Sequence, residues 1–170
     1  MPQTIFTTER LLVRQYEFEL DADNFFALNG NDEVMRHIRP AKPRQECDEF
    51  LKENIAGYQK DPLIGRWAAD DKHFGAFVGS FAIIPIEGTN EIQLGYALPK
   101  ENWGKGYASE LTRGGLEYYF RVTDEDHIYA IAEKANAPSH NVLYKNGFVL
   151  LKEYKDGGKD VMKFIYKRIG

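Results

Sequence analysis

The chain has 170 residues, of which 43% are hydrophobic and 28% are charged, and its formal net charge is −4. This length is typical of a single domain with a substantial hydrophobic core, and the composition excludes a disordered or membrane-spanning chain. An acidic chain without a basic stripe also argues against nonspecific binding of nucleic acid. We therefore predict one domain over residues 1–170.

Targeting and metal-binding signals are absent from the sequence. Residues 1–4 lack the basic region and apolar core of a secretory signal, so we expect a cytoplasmic protein that does not insert into a membrane. The single cysteine, Cys47, excludes an internal disulfide, and the four histidines are scattered without ligand spacing. No metal site is predicted.

The first part of the chain predicts one strand followed by helices. A short apolar run with charged flanks predicts a strand over residues 8–14. The spacing of the apolar residues then predicts a helix from about Asp21 to Asn29, a helical turn over 33–38 and an amphipathic helix over 45–58.

After Pro62 the apolar spacing changes to that of strands, which we predict over 66–70, 74–84 and 91–98. In the third strand, alternation places two sets of side chains on opposite faces: Ile92, Leu94, Tyr96 and Leu98 on one, and Glu91, Gln93, Gly95 and Ala97 on the other.

The last part of the chain predicts two helices and three strands. A helix over 107–121 contains Gly114-Gly115, which costs about 1 kcal/mol per glycine against alanine and so implies a close packing contact. A strand over 127–133 precedes a short helix over 138–145, which Asn136 would cap and Gly147 would end. A hairpin over 148–154 and 161–166 closes the chain. These elements predict an α/β or α+β domain with a mixed, largely antiparallel sheet.

Residues 102–110, Asn-Trp-Gly-Lys-Gly-Tyr-Ala-Ser-Glu, form a glycine loop between a strand and a helix. Gly104 and Gly106 leave backbone N–H groups unshielded, and the helix N-terminus adds donors and a positive dipole end, so the stretch predicts a phosphate site. The Walker pattern is excluded because Tyr107 follows Gly106, and the dinucleotide pattern of an oxidoreductase fits poorly because residues 99–103 separate the glycines from the strand. A plain loop remains the alternative.

Four stretches in the right order resemble the GNAT superfamily of N-acetyltransferases, and within it the branch of ribosomal-protein serine/alanine N-terminal acetyltransferases. They are Thr-Glu-Arg-Leu-Leu-Val-Arg at 8–14, Asn-Asp-Glu-Val-Met-Arg at 31–36, Leu-Gly-Tyr-Ala-Leu at 94–98 with 103–110, and Asn136, Ser139 and Asn141 with Lys-Asn-Gly-Phe at 145–148. The resemblance covers nearly the whole chain.

The resemblance implies a single GNAT-like domain, with a twisted sheet, helices on both faces, and acetyl-CoA in a gap where parallel strands 91–98 and 127–133 splay apart. An amine acceptor, either a protein N-terminus or a small molecule, would attack the acetyl group directly in a ternary complex, and a backbone N–H would stabilise the oxyanion. The implied cofactor-binding residues are Tyr96, Ala97, Leu98, Trp103, Gly104, Lys105, Gly106, Tyr107, Ala108, Asn136 and Asn141.

The catalytic positions depart from the superfamily pattern. Leu143 stands where many members place a tyrosine acid, so we predict that Ser139 anchors the thiol or donates the proton. The competing interpretation is that Ser139 is only part of a helix start. Gln93 replaces the branch's glutamate, and Glu91, two residues earlier on the same face, is the predicted base acting through a water. A solvated strand end is the competing interpretation of Glu91.

Two functions are therefore compatible with the sequence. The first is an acetyl-CoA-dependent N-acetyltransferase, working as a monomer or homodimer on a primary amine. The second is a catalytically silent acyl-CoA-binding module, motivated by Leu143 and Gln93 at positions where an acid and a base are often found.

Overall fold

Eight strands form one sheet in the computed structural model, which describes residues 2–169. The strands are β1 (Thr4–Thr7), β2 (Leu11–Arg14), β3 (Gly65–Asp71), β4 (Phe77–Pro85), β5 (Ile92–Ala97), β6 (His127–Glu133), β7 (Val149–Asp156) and β8 (Lys159–Lys167). Their order across the sheet is β1-β2-β3-β4-β5-β6-β8-β7. All neighbours are antiparallel except β5 and β6, which are parallel.

Five helices cover the two faces of this sheet. They are α1 (Phe18–Asn29), α2 (Asp32–Met35), α3 (Arg44–Gly57), α4 (Tyr107–Val122) and α5 (Ala137–Lys145), with a 3-10 turn at Lys100–Asn102. The larger core packs α4 and α5 against one face, and a smaller core packs α1 and α3 against the other. The predicted fold class, a mixed and mostly antiparallel sheet with helices on both faces, is confirmed.

The paired glycines of α4 allow this helix to lie close to the sheet. A Cβ atom on Gly114 would come within 2.6 Å of Thr8 and 2.9 Å of Phe6, and one on Gly115 would collide with the ring of Phe81. The close packing contact predicted for this pair is therefore present.

A buried ion-pair network joins α1 to the sheet. Arg14 in β2 donates two hydrogen bonds of 2.9 Å to Asp21 of α1 and one of 2.6 Å to Asp70 of β3. Asp21 has no exposed surface and also accepts the backbone N–H of Glu17. One guanidinium thus serves two carboxylates, and its hydrogen bonds to both fix the helix to the strands.

The N-terminal strand prediction was wrong in its bounds. Residues 8–10 form a turn, in which the Thr8 N–H bonds the Leu11 carbonyl, and the chain pairs as two strands, β1 and β2, on either side of it. The strand β1 was missed because Thr4–Thr7 has too short an apolar pattern to stand out.

The strand predicted from residue 74 begins instead at Phe77. Gly75 has φ +75°, a left-handed conformation, and the Asp71 carboxylate accepts the backbone N–H groups of His73 and Phe74, which closes a turn. Phe74 is 89% exposed in that turn, so its apolar side chain does not mark strand structure.

None of the helices within residues 2–169 combines the length and the apolar character needed to cross a membrane.

Candidate functional site

The parallel strands β5 and β6 separate soon after they meet. In the described part of the chain their ladder has one register pair, Gln93 opposite Tyr129, although β5 continues to Ala97 and β6 to Glu133. The edge of β5 beyond Gln93 therefore has backbone groups without a strand partner on this side, and such groups must be satisfied by something else. This gap is the predicted splay.

The glycine loop opens onto the start of α4. Gly104 and Gly106 have φ +72° and +81°, and the first hydrogen bond inside α4 runs from Glu110 N–H to the Gly106 carbonyl at 3.1 Å. The amides of Tyr107 and Ala108 precede that bond, so they are helix-terminal donors. A Cβ atom on Gly104 would meet nothing within 4 Å, which leaves open space beside the loop. Donors, dipole and space together fit a diphosphate.

The turn at residues 8–10 holds the start of α4. The carboxylate of Glu110 accepts hydrogen bonds from the Thr8 hydroxyl at 2.5 Å, from the Arg10 N–H at 2.8 Å and from the Arg10 guanidinium at 2.7 Å. The same guanidinium lies over the Tyr107 ring, 4.3 Å from its centroid. Burial acts to raise the pKa of Glu110, but these hydrogen bonds outweigh it and hold that pKa below its ordinary value. The turn at residues 8–10 therefore holds the start of α4, and with it the end of the glycine loop, in place.

Trp103 fixes the other end of the loop. Its indole Nε1 donates to the Leu98 carbonyl at 2.8 Å, and the neighbouring Asn102 amide donates to the Val78 carbonyl at 3.0 Å. The Trp103 side chain therefore ties the loop to the residue that follows β5.

Ser139 lies across the gap from β5. The Tyr96 hydroxyl donates to its Oγ at 3.3 Å, and burial raises the pKa of Tyr96, so this phenol keeps its proton at neutral pH. Asn146, at the end of α5, donates to the Ser109 hydroxyl at 3.0 Å and so links α5 to α4. Sequence reasoning used only the backbone of Tyr96 and missed the role of its side chain.

The two asparagines of this segment lie at the start of α5. The Asn136 carbonyl accepts the N–H groups of Ser139 at 3.2 Å and His140 at 3.3 Å, but its side chain makes no capping hydrogen bond, contrary to the prediction. Asn141 is exposed. Leu143 is buried in the core, so the position of the superfamily's tyrosine offers no proton donor here.

Glu91 forms an ion pair on the face of the sheet opposite to α4 and α5. Lys163 of β8 donates to its carboxylate at 2.6 Å and lies 4.4 Å from the ring centroid of Tyr129. The hydrogen bond from Lys163 lowers the pKa of Glu91. A carboxylate held in this way is a weaker base than a free one, so the catalytic role of Glu91 stays a prediction. The pairing of Lys163 with Glu91 was missed, since a lysine in a strand ordinarily indicates a solvent-exposed position.

Comparison with known proteins agrees with this geometry. The family model described as the acetyltransferase (GNAT) domain matches residues 10–149. The curated Bacillus subtilis protein YkkB is 28% identical over 168 residues, covering 98% of this chain and 96% of its own.

Two solved structures share the fold. RimL, a ribosomal L7/L12 alpha-N-protein acetyltransferase in complex with coenzyme A, superposes with a TM-score of 0.81 at 17% identity, over 98% of both chains. Spermidine N-acetyltransferase from Vibrio cholerae, in complex with CoA and spermine, superposes with a TM-score of 0.77 at 21% identity, over 94% of this chain and 96% of that one. The chain belongs to the GNAT family of N-acetyltransferases, whose co-substrate is acetyl-CoA.

Proposed function

We propose that this N-acetyltransferase moves the acetyl group to a primary amine by direct attack in a ternary complex, without a covalent enzyme intermediate. The observation that carries the proposal is the gap between β5 and β6, which begins beyond Gln93. The glycine loop over Gly104–Ala108 follows β5, and Ser139 is hydrogen-bonded to Tyr96 of that strand.

Each part of this site has a distinct role. Bound acetyl-CoA supplies an activated thioester to the gap. The loop amides hold its diphosphate, and the unpaired edge of β5 over Tyr96–Leu98 hydrogen-bonds the pantetheine arm as an added strand would. Trp103, Lys105, Asn136 and Asn141 are the remaining proposed contacts.

Two protons move in the reaction. The amine loses one as its nitrogen bonds the acetyl carbon, and the departing thiolate gains one as the carbon–sulfur bond breaks. We assign the thiolate proton to Ser139, with Tyr96 donating to Ser139 behind it, because their hydroxyls are hydrogen-bonded across the gap. Glu91 is proposed to receive the ammonium proton through a water, with Lys163 holding its carboxylate in place.

The acceptor is a primary amine, either a protein N-terminus or a small molecule. The two neighbours with the same fold represent both possibilities, since one is named for L7/L12 and the other for spermidine. A mass-spectrometric screen of small amines and N-terminal peptides, scored for the mass gain of one acetyl group, tests activity and acceptor class together.

Binding at the loop is tested by thermal denaturation. Acetyl-CoA should raise the melting temperature, since a ligand that binds only the folded state stabilises it, and Gly106→Trp should abolish the increase by filling the diphosphate space. The matched control is Gly88→Trp, because Gly88 also has a positive φ, +77°, but lies in the β4–β5 turn. A Cβ atom on Gly88 would meet nothing within 4 Å, whereas one on Gly106 would lie 3.3 Å from the Arg10 guanidinium. Equal loss of the increase in both variants would remove the loop from the binding site.

A silent acyl-CoA-binding module is the second candidate, and the ion pair of Glu91 with Lys163 favours it because the pair weakens the proposed base. Binding of acetyl-CoA without release of thiol on any amine would select this candidate.

A further inference from the structure

Two arginines on the α1–α3 face of the sheet lie close together without an acidic partner. Arg66 belongs to β3, and Arg39 follows α2. The guanidinium carbon of each lies 5.1 Å from the ring centroid of Phe50 in α3. Both Nε atoms are buried, and within residues 2–169 neither has a hydrogen-bond partner. Arg39 makes one side-chain hydrogen bond, to the Asn29 amide oxygen at 2.5 Å.

A third arginine on the same face of the sheet, Arg14, does have acidic partners. Arg14, which is buried where Arg39 and Arg66 are half-buried, bonds the carboxylates of Asp21 and Asp70. No acid takes that position beside Arg39 or Arg66 in the described residues, so the two cations form a distinct feature of the fold.

The electrostatics of the pair are unfavourable as they stand. Burial, reinforced by the nearby charge of Arg66, lowers the pKa of Arg39 to about 10, and burial also lowers the pKa of Arg66. Both groups still carry a charge at neutral pH. Contact with the Phe50 ring offsets part of the cost of taking these half-buried groups out of water, but two neighbouring cations without a counter-ion remain destabilising. An anion between them would remove that cost.

The position of the pair relates it to the reaction. Arg66 is paired with Ala82 of β4, and Ala82 with Gly95 of β5, so the three residues form one row across the sheet. Gly95 lies two residues beyond Gln93, where β5 and β6 separate, and a Cβ atom on it would meet nothing within 4 Å. Two strand spacings place the backbone of Arg66 about 10 Å from this open position.

We propose that Arg39 and Arg66 bind a carboxylate carried by the acceptor, which makes small amino carboxylates the acceptor class of this enzyme; this rests on the acetyl transfer proposed above. A guanidinium presents paired donors that match a carboxylate. The distance of about 10 Å across the row suits an acceptor whose amine lies a few bonds from its carboxylate. A polyamine would instead bring further positive charge to two cations that already repel one another.

The test is a set of acceptors that differ in one group. γ-Aminobutyrate, γ-aminobutyramide and putrescine have the same four-carbon chain and present a carboxylate, a neutral amide and an ammonium; glycine and β-alanine shorten the spacing. We expect kcat/KM to be about tenfold or more higher for the best amino carboxylate than for the amide or the diamine, as one charge-assisted contact supplies that factor. Peptides with acidic and neutral second residues form a further arm, and a preference for an acidic peptide over every small amino carboxylate would overturn the small-molecule assignment.

Variants assign the preference to the pair. Arg66→Gln and Arg39→Gln should raise KM for the amino carboxylate about tenfold or more while leaving KM for acetyl-CoA and turnover of the amide unchanged. Arg44→Gln is the matched control, because this α3 arginine also lies over a phenylalanine, Phe26, but is already paired with Asp23 and Asp48.

A binding measurement separates this proposal from acetyl transfer itself. Butyrate, which has no amine, should raise the melting temperature of the CoA-loaded wild-type protein and not that of Arg66→Gln. If butyrate does so and no amine is acetylated, the carboxylate site stands and acetyl transfer fails. If amines are acetylated with no preference for a carboxylate, and neither glutamine variant changes KM, acetyl transfer stands and the carboxylate site is wrong.

Discussion

The Tyr96 hydroxyl, on β5, donates a 3.3 Å hydrogen bond to the Oγ atom of Ser139, on α5. This contact joins a residue expected to act through its backbone to the residue predicted as the proton donor. We propose that the two hydroxyls together replace the superfamily's tyrosine acid, whose position is taken by the buried Leu143.

Removal of either hydroxyl should slow acetyl transfer. Ser139→Ala and Tyr96→Phe are each expected to lower kcat about tenfold or more, within the range of general acid contributions, and to lower it little further when combined. Steady-state kinetics with acetyl-CoA and an acetylated amine measure this. Tyr144→Phe is the control, since Tyr144 lies exposed on α5 against Phe164. Additive losses in the double variant would show that the two hydroxyls act separately.

Loss of the Glu110 carboxylate should destabilise the domain and change its response to acid. The folded pKa of Glu110 lies below the unfolded value, so its contribution is full above about pH 4.3 and disappears as the pH falls through the folded pKa. Glu110→Gln should cost about 1–3 kcal/mol at pH 7 and less at low pH, as measured by urea denaturation. Glu117→Gln, at an exposed position of α4, should cost much less. If the loss of stability caused by Glu110→Gln is as large at low pH as at pH 7, the ion pair is contradicted.

The buried network at Arg14 should be among the most sensitive points of the fold. Asp21→Asn replaces a carboxylate that accepts two Arg14 hydrogen bonds with a neutral amide whose NH2 group faces the guanidinium, and it is expected to cost about 1–3 kcal/mol. Asp23→Asn removes an exposed carboxylate from the same helix and should cost under about 1 kcal/mol. Chemical denaturation of both variants compares them, and similar costs would mean that burial of the network is unimportant.

The position of Gly115 should not tolerate even the one methyl group that alanine adds. Gly115→Ala improves helix propensity by about 1 kcal/mol, but its Cβ atom collides with Phe81, so the net result should be a loss of about 1–3 kcal/mol. Gly57→Ala, where a Cβ atom meets nothing within 4 Å, should be neutral or stabilising. A stabilised Gly115→Ala protein would mean that α4 lies farther from the sheet.

The elements with long periodic patterns were predictable from the sequence. The helix at Tyr107–Val122 and the strand at His127–Glu133 match the predicted 107–121 and 127–133 almost residue for residue, because each has enough repeats to define its period. The short strand Thr4–Thr7 was missed, and Phe74 was placed in a strand because an apolar residue in a turn gives the same local signal as one in a sheet.

The glycine loop was predictable because backbone donors depend on glycines and a helix start, both of which are local. The contacts of Glu110 with Thr8 and of Glu91 with Lys163 were not, since each joins residues far apart in the chain. A local pattern holds no information about such pairs. The same limit hid the proximity of Arg39 to Arg66, since these residues come together only when α2 and α3 fold over β3.

The decisive measurement is amine-dependent release of free thiol from acetyl-CoA by the wild-type protein. We expect release that requires an added amine and equals, mole for mole, the acetylated amine found by mass spectrometry, with γ-aminobutyrate exceeding putrescine. Binding of acetyl-CoA accompanied by no thiol release above the amine-free background, across the whole panel of amines and peptides, would contradict the proposed acetyl transfer.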